Sequence, residues 1–174
     1  MAGALEAFHR LTAGVDYPMY IVTTAAGGQR AGCLVGFATQ CSIHPARMLV
    51  CLSVRNHTFR VAQRAEVLAV HFLSRRHLGL AKLFGEETGD EVDKFARCEW
   101  APGPDGVPVL AGVKGWVAGR VLATLDAGDH TAFVLEPLAG EAGDDGEAGD
   151  VPDTTADAQL SFQQVRGFHP GHEP

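Results

Sequence analysis

The feature of this chain that most constrains its fold is a succession of short β-rich segments whose connectors leave no room for repeated βαβ crossovers. Parallel neighbours need crossovers of a dozen or more residues, whereas antiparallel strands can follow one another through short turns. A dense run of β-branched and aromatic residues that ends at Gly27-Gly28 predicts the first strand and a hairpin turn. The predicted strands cover residues 17–24, 30–39, 48–54, 67–73, 115–125 and 131–137. The pattern favours an antiparallel barrel over a Rossmann sheet.

Helix start signals lie between these strands. Thr58 can cap a helix that runs to about residue 64, and Ser74 can cap one over residues 75–84 that ends at Gly85. A further helical turn is expected over residues 4–11. With 174 residues, 46% of them hydrophobic, the chain suits one packed domain, and no apolar run approaches the ~18 residues of a membrane span. We therefore expect a mainly β, antiparallel barrel with two or three short helices.

The net charge of −7 is confined to the C-terminal part of the chain. Residues 139–174 carry eight acids and one base, while residues 1–138 are balanced. A balanced body offers no broad basic surface, so nucleic-acid binding is not expected. We predict a barrel over residues 1–138, a flexible acidic Gly/Ala/Asp loop over 139–158, and a C-terminal edge strand at 160–165 with a tail that ends at residue 174.

The location of the protein is inferred from its N-terminus and its cysteines. The first residues lack the basic and apolar regions of a secretory signal. The spacing of Cys33, Cys41, Cys51 and Cys98 matches no zinc pattern and suits reduced thiols. We expect a cytoplasmic protein with no membrane segment and no metal site.

Three stretches could carry chemistry, and the first is the strand that contains Gly32, Gly36 and Ala38. Short side chains let a flat ring lie against the backbone and receive its N–H groups. The alternative is that these glycines mark bends or bulges of a barrel.

The second stretch is Ser53-Val-Arg-Asn-His-Thr58, which lies between a strand and a helix start. Free N–H groups, hydroxyls, an amide and the cations Arg55 and Arg60 can cradle a phosphate. The alternative is an ordinary helix cap.

The third stretch is Gly128-Asp-His130, directly before a strand. His130 is the best single catalytic candidate, and the alternative is a turn with the histidine directed to solvent. Phosphate-binding, nucleophile-elbow and His-Glu-x-x-His motifs do not occur in the sequence, so hydrolase and NTPase functions lack support.

The order and spacing of these stretches resemble the flavin reductase family, the FMN-binding split β-barrels, from about residue 8 to residue 137. The resemblance rests on the opening strand Tyr20-Ile-Val-Thr-Thr24, the small-residue stretch 31–42, Pro45 before the next strand, Asn56-His-Thr58, Asp93-Lys-Phe95 and Gly128-Asp-His130. One departure is that Cys33-Leu-Val-Gly36 stands where many members have Thr-x-Ser-Ser. Side-chain hydrogen bonds to the flavin should therefore be fewer there.

The resemblance implies a flavin at a homodimer interface, reduced by NADH or NADPH that docks over the ring. FMN is the expected flavin, with FAD as the alternative, and reduced flavin would be passed to a separate monooxygenase. Other functions of the same fold are a non-enzymatic flavin electron carrier and a deazaflavin-dependent reductase. Since the reactive atoms belong to the two cofactors, the protein mainly holds them in register.

The resemblance also assigns the site residues. His130 would lie near the nicotinamide side, where it could orient the nicotinamide amide or protonate reduced flavin near N1. Lys94 and Phe95 would border the pocket. The turn after the third predicted strand would bind phosphate through Ser53, Asn56 and Thr58, with His57 in the same turn. The isoalloxazine and ribityl contacts would come from Cys33, Leu34, Val35, Gly36, Phe37, Thr39, Gln40, Cys41 and Ser42.

Overall fold

The computed structural model describes residues 3–143 and 158–171. The strands are β1 Tyr20–Ala26, β2 Gln29–Val35, β3 Ala38–Ser42, β4 Arg47–Ser53, β5 Val67–Phe72, β6 Trp100–Pro102, β7 Pro108–Leu110, β8 Gly115–Asp126 and β9 His130–Ala142. The α-helices are α1 Ala4–Thr12, α2 His57–Ala62, α3 Leu78–Glu86 and α4 Phe162–Val165. Short 3-10 helices cover Arg75–His77, Lys94–Arg97 and Pro104–Gly106.

Seven strands form one antiparallel sheet in the order β2-β1-β5-β8-β9-β4-β3, and β6 pairs with β7 in a small second sheet. The two edge strands of the large sheet, β2 and β3, are consecutive in the chain. The chain bends between them at Gly36 and Phe37, where the Cys51 amide donates to the Phe37 carbonyl at 2.8 Å. The sheet therefore curls until its edges meet, as the predicted split barrel requires.

The two faces of β1 belong to two separate cores because side chains alternate along a strand. Tyr20 and Val22 point into the barrel, where they pack with residues of β4, β5 and β9. Met19 and Ile21 point outward, into a second core that α3 and the C-terminal segment cover. The cleft described below opens between these two packed regions.

His71, in the middle of β5, is fully buried and joins three strands. Its Nδ1–H donates to the Ile21 carbonyl on β1 at 3.0 Å, and its Nε2 accepts from the Leu110 amide on β7 at 3.0 Å. Burial lowers the pKa of His71 to about 4, so the ring is neutral near pH 7. We call this junction the His71 brace.

The structure confirms the mainly β antiparallel architecture but corrects several boundaries. The strand predicted over residues 30–39 is two strands, because Gly36 and Phe37 turn the chain from one sheet edge to the other. Asn56, not Thr58, caps α2, since its side-chain oxygen accepts from the Thr58 amide at 3.0 Å. Gly85 lies inside α3 and does not end it; a Cβ there would approach Leu34 Cδ2 to 3.0 Å.

The C-terminal predictions need larger corrections. Residues 139–142 are not loop, because β9 extends to Ala142 and pairs there with Gly115. Residues 160–165 do not form an edge strand: Leu160 is buried, and Ser161 begins the short helix α4 through a capping box with Gln164. The predicted acidic loop lies otherwise outside the described residues. Among the described residues, no helix is long and apolar enough to cross a membrane.

Candidate active site

A cleft of about 650 Å³ opens between several parts of the fold. It is lined by the end of β2, the turn between β4 and α2, the turn between β8 and β9, and the C-terminal segment from residue 158 to residue 171. The end of α3, Lys94 and the segment before β1 complete the lining. We call this the cleft. It brings together all three stretches that the sequence marks as chemically distinctive.

The end of β2 and the Gly36 that follows it form one wall of the cleft. Cys33 and Val35 turn their side chains into the barrel core, whereas Gly36 has no room for any side chain. A Cβ at Gly36 would lie 2.3 Å from Cε2 of Tyr17, far inside van der Waals contact. The tyrosine ring occupies the space that a larger residue at position 36 would need.

A row of aromatic rings lines the cleft. Phe162 from α4 stacks on Tyr17, with ring centroids 4.9 Å apart and an interplanar angle of 20°. Tyr17 lies 5.8 Å from Phe37, and Phe37 lies 5.3 Å from His130. The row connects the C-terminal segment to the β8–β9 turn and gives this side of the cleft aromatic ring surface, although Tyr17 and Phe37 are tilted by 48° and Phe37 and His130 by 60°.

The turn between β4 and α2 supplies polar groups to the cleft from Ser53, Arg55 and Asn56. The side-chain oxygen Oδ1 of Asn56 caps α2, and the backbone amide of Asn56 donates to the Ser53 carbonyl at 3.0 Å. The cap holds Asn56 in place, and its side-chain NH₂ group keeps donor capacity for a ligand.

His130 begins β9 directly opposite Ser53 of β4. Its Nδ1 lies 2.8 Å from Oδ1 of Asp129, and its side chain is 28% exposed. Hydrogen bonding from His130 lowers the pKa of Asp129, so the carboxylate stays ionised and fixes the orientation of the ring. The Val54 amide donates to the Asp129 carbonyl at 3.0 Å, so a hydrogen bond connects the β8–β9 turn to the β4–α2 turn.

Lys94 forms part of the cleft lining although its side chain is almost fully buried. Its ammonium donates to the carbonyls of Gly32 at 3.1 Å and Phe84 at 3.2 Å. Burial lowers the pKa of Lys94. Burial also raises the pKa of the adjacent Cys33 thiol, with smaller opposing effects from Thr58, Lys94 and Asn56.

Residues 12–166 match the family described as flavin reductase like domain. The chain belongs to the flavin reductase family. The match spans the barrel, the cleft and most of the C-terminal segment. The family membership confirms the sequence-based resemblance and the assignment of the chain as a flavin reductase.

Curated relatives carry names consistent with this family. The chain is 28% identical to a ferric-chelate reductase (NAD(P)H) of Archaeoglobus fulgidus, over 82% of this chain and 83% of the relative. It is 32% identical to an FMN reductase (NADH) of Bradyrhizobium diazoefficiens, over 68% and 66%. It is 30% identical to a stachydrine N-demethylase reductase subunit of Rhizobium meliloti, over 65% and 50%. The relatives therefore include a reductase component of a larger enzyme system.

A solved structure confirms the fold. A flavin reductase domain protein from Arthrobacter sp. FB24 superposes with a TM-score of 0.73 at 23% identity, covering 80% of this chain and 86% of that one. At this identity the likeness establishes the split-barrel architecture.

The cleft gathers most of the site residues predicted from sequence but not all of them. Thr39, Gln40 and Cys41 are exposed on β3, and neither they nor Ser42 line the cleft of a single chain. Thr58 is buried and does not line the cleft, and His57 and Phe95 line a smaller cavity. The predicted residues that do line the cleft are Cys33, Leu34, Val35, Gly36, Phe37, Ser53, Asn56, Lys94 and His130.

Sequence reasoning missed the part of the cleft built by Tyr17 and the C-terminal segment. Phe162, Arg166 and Phe168 line it because Leu160 anchors the segment in the second core, where it accepts from the Met19 amide and donates to the Leu73 carbonyl. One local signal was available: Ser161 and Gln164 have the spacing of a capping box, which indicates a helix start.

Proposed function

We propose that the cleft binds FMN and that NAD(P)H reduces it there, with FAD as the alternative flavin. The observation that carries the proposal is that the end of β2, a polar turn and His130 all line one cavity. Each is predicted from the sequence to be one part of a flavin site, and residues of all three line the cleft, which supports the proposal.

The residues of the cleft fit the parts of FMN. The end of β2 and the aromatic rings beside it suit an aromatic ring, and the turn with Ser53, Arg55 and Asn56 suits a phosphate. A cavity of about 650 Å³ lies within the usual range of small-molecule sites. When bound, FMN supplies the ring that accepts the hydride.

The protein contributes binding and orientation to this reaction. The backbone at the end of β2 contacts the flavin ring, and Ser53 and Asn56 bind the phosphate. The row of aromatic rings excludes water from the reacting faces, which favours a direct transfer.

His130 is proposed to position the nicotinamide. Its ring orientation is fixed by Asp129, so the other nitrogen, Nε2, is held ready to hydrogen-bond a ligand in the cleft. In this role His130 needs only to be correctly positioned and need not act as an acid or a base, because hydride transfer moves no proton to the protein.

We propose a homodimer that completes the site. Phe37 is 54% and Ile43 is 71% exposed beside the cleft and β3, although both are large apolar residues. An uncovered apolar surface next to a ligand site suits contact with a second copy. That copy would also cover Thr39, Gln40, Cys41 and Ser42, which the single chain leaves outside the cleft.

A flavin-dependent monooxygenase is the partner that we propose for the reduced flavin. The support is that a 30% identical relative is named as the reductase subunit of a demethylase. The four cysteines, all free in the structure, are compatible with the cytoplasm that we propose as the location.

The test is NAD(P)H oxidation by purified protein with and without added FMN. We expect steady oxidation that depends on FMN, and the matched control is Lys82→Met, a change at an exposed helix residue outside the cleft. A tightly retained flavin without turnover would contradict the proposal and identify an electron carrier. Activity with a deazaflavin alone would contradict it in favour of a deazaflavin reductase.

A further inference from the structure

Arg166 is a positive charge that the fold leaves at the edge of the cleft. It is exposed, and it lines the cleft from the C-terminal segment. Within residues 3–143 and 158–171, its guanidinium takes part in no hydrogen bond, ion pair or ring contact. A guanidinium presents its N–H donors in a planar fork that matches the oxygens of a phosphate. Arg166 is therefore available to an anionic ligand of the cleft.

The carboxylates of the cleft already have other partners. Among the described residues that line the cleft, the acidic ones are Glu87 and Asp129. Glu87 lies 3.5 Å from Arg97, and Asp129 lies 2.8 Å from His130. A ligand that enters the cleft is therefore the source of negative charge that would complement Arg166.

The position of Arg166 is fixed by the short helix that precedes it. Oδ1 of Asp16 accepts from the Gln163 amide in the first turn of α4 at 3.1 Å, and Val165 is buried in the second core. Arg166 keeps helical backbone angles, so it lies one turn beyond Phe162 on the same side of α4. Both of these side chains line the cleft.

The aromatic row connects Arg166 to the site proposed for the nicotinamide. The row runs from His130 through Phe37 and Tyr17 to Phe162, and Arg166 follows at its far end. NADH and NADPH both carry a pyrophosphate beyond the nicotinamide ribose, and NADPH carries an additional 2′-phosphate on its adenosine. A dinucleotide with its nicotinamide at His130 that extends along the row brings a phosphate to Arg166.

We propose that Arg166 binds a phosphate group of the nicotinamide dinucleotide and thereby sets the affinity of the cleft for NADPH or NADH. The proposal rests on the proposed function, because it assigns a residue to the hydride donor of that site. The phosphate of FMN has its own cation in Arg55 of the β4–α2 turn, which leaves Arg166 for the second ligand of the cleft. Arg166 takes no part in the hydride transfer itself.

The test measures how tightly NADP+ and NAD+ bind to the FMN-loaded wild-type protein and to Arg166→Gln. Neither oxidised dinucleotide can donate a hydride, so isothermal titration calorimetry gives dissociation constants without turnover. We expect Arg166→Gln to bind NADP+ about tenfold more weakly, because a charge-assisted contact is lost. A loss for NADP+ alone supports a contact with the 2′-phosphate, and a similar loss for NAD+ supports a contact with the pyrophosphate.

Two matched variants distinguish the charge of Arg166 from its position. Arg166→Lys keeps the charge but not the planar fork, so it should recover part of the lost affinity. Arg75 is another exposed arginine that does not line the cleft, and Arg75→Gln should match the wild type. Added salt should weaken the binding of NADP+ to the wild type more than to Arg166→Gln.

Thermal melts provide a second measurement that needs no nicotinamide. Adenosine 2′,5′-bisphosphate should raise the melting temperature of the FMN-loaded wild type more than that of Arg166→Gln. Without this probe the two proteins should melt within about 2 °C of each other, because the Arg166 side chain has no partner in the described part of the chain.

Two results would overturn the proposal. Unchanged affinities for both dinucleotides in Arg166→Gln would remove Arg166 from the site. Equal losses of FMN and NADP+ affinity, with FMN followed by flavin fluorescence quenching, would assign Arg166 to the flavin or to the packing of the C-terminal segment. Both results leave the proposed function intact, whereas a wild type that neither binds flavin nor oxidises NAD(P)H would refute that function and this proposal with it.

Discussion

The His71 brace and the cleft around His130 place the same side chain in opposite surroundings. His71 is fully buried, neutral, and satisfied at both ring nitrogens by backbone groups of two other strands. His130 is partly exposed, contacts a carboxylate through one nitrogen and faces a cavity with the other. Burial with complete hydrogen bonding holds strands together, whereas partial exposure leaves a group available for a ligand.

This difference predicts that His71→Leu destabilises the protein and His130→Leu does not. Leucine keeps much of the volume but orphans the Ile21 carbonyl and the Leu110 amide, and each orphaned buried group costs about 1 to 3 kcal/mol. We expect His71→Leu to lower the free energy of unfolding by about 3 to 5 kcal/mol. Urea denaturation measures it.

The controls for this prediction are His71→Gln and His130→Leu. Glutamine offers a donor and an acceptor, so it should recover part of the loss. His130→Leu should stay within about 0.5 kcal/mol of wild type. Equal destabilisation by both leucine variants would show that the two regions do not differ in the way described.

The second prediction concerns pH. The pKa of His71 is about 4 in the folded protein against an ordinary value of 6.5. Between these values the unfolded chain binds a proton at this site and the folded chain does not, so stability falls as pH falls from 6.5 towards 4. The loss attributable to His71 is about 3 kcal/mol.

The measurement is the free energy of unfolding between pH 7 and pH 4 for the wild type and for His71→Gln. Glutamine does not titrate, so its stability should depend less steeply on pH over that interval. Parallel pH profiles for the two proteins would refute the assignment.

The third prediction sharpens the cleft side of the comparison. His130→Ala should slow the reduction of pre-bound FMN by about tenfold, which corresponds to ~1.4 kcal/mol of barrier. FMN affinity should change less than threefold, because the ring and phosphate contacts are assigned to other residues. Stopped-flow absorbance measures the reduction rate.

Because His130 is proposed to act through geometry, His130→Asn should recover part of the rate. A kcat that stays at the wild-type value while KM rises would assign His130 to nicotinamide binding alone. A wild-type reduction rate in His130→Ala would remove it from the active site.

The fourth prediction concerns Asn56 and involves the smallest expected change. It distinguishes the role of the side chain as the α2 cap from its proposed role in binding the ligand. Asn56→Ala should cost about 1 kcal/mol of stability through loss of the α2 cap. Asn56→Ser keeps a cap and removes the amide, so it should stay near wild-type stability while binding FMN more weakly. Thermal melts and flavin titration give the two values.

Riboflavin titration supplies the control for Asn56. An equal loss of riboflavin and FMN affinity in Asn56→Ser would indicate that the side chain supports the wall and not the phosphate.

The sequence by itself determined the approximate positions of most strands, the antiparallel architecture, the three chemically distinctive stretches and the family. Those features are local, because alternation, turn residues and short motifs are read within about ten residues of one another. Gly36 and the Ser53–Thr58 turn could therefore be selected before any contact was known.

Only the tertiary structure decided how those stretches combine. The neutral state of His71 and the burial of Lys94 depend on residues that are distant in the chain. Those residues exclude water from the two side chains, and this desolvation lowers the pKa of each. The alternation at residues 160–165 resembled a strand, but Leu160 enters the second core and the next residues cap a helix. Packing against distant residues overrides local propensity, so the C-terminal wall of the cleft and the split at Gly36 lay beyond sequence reasoning.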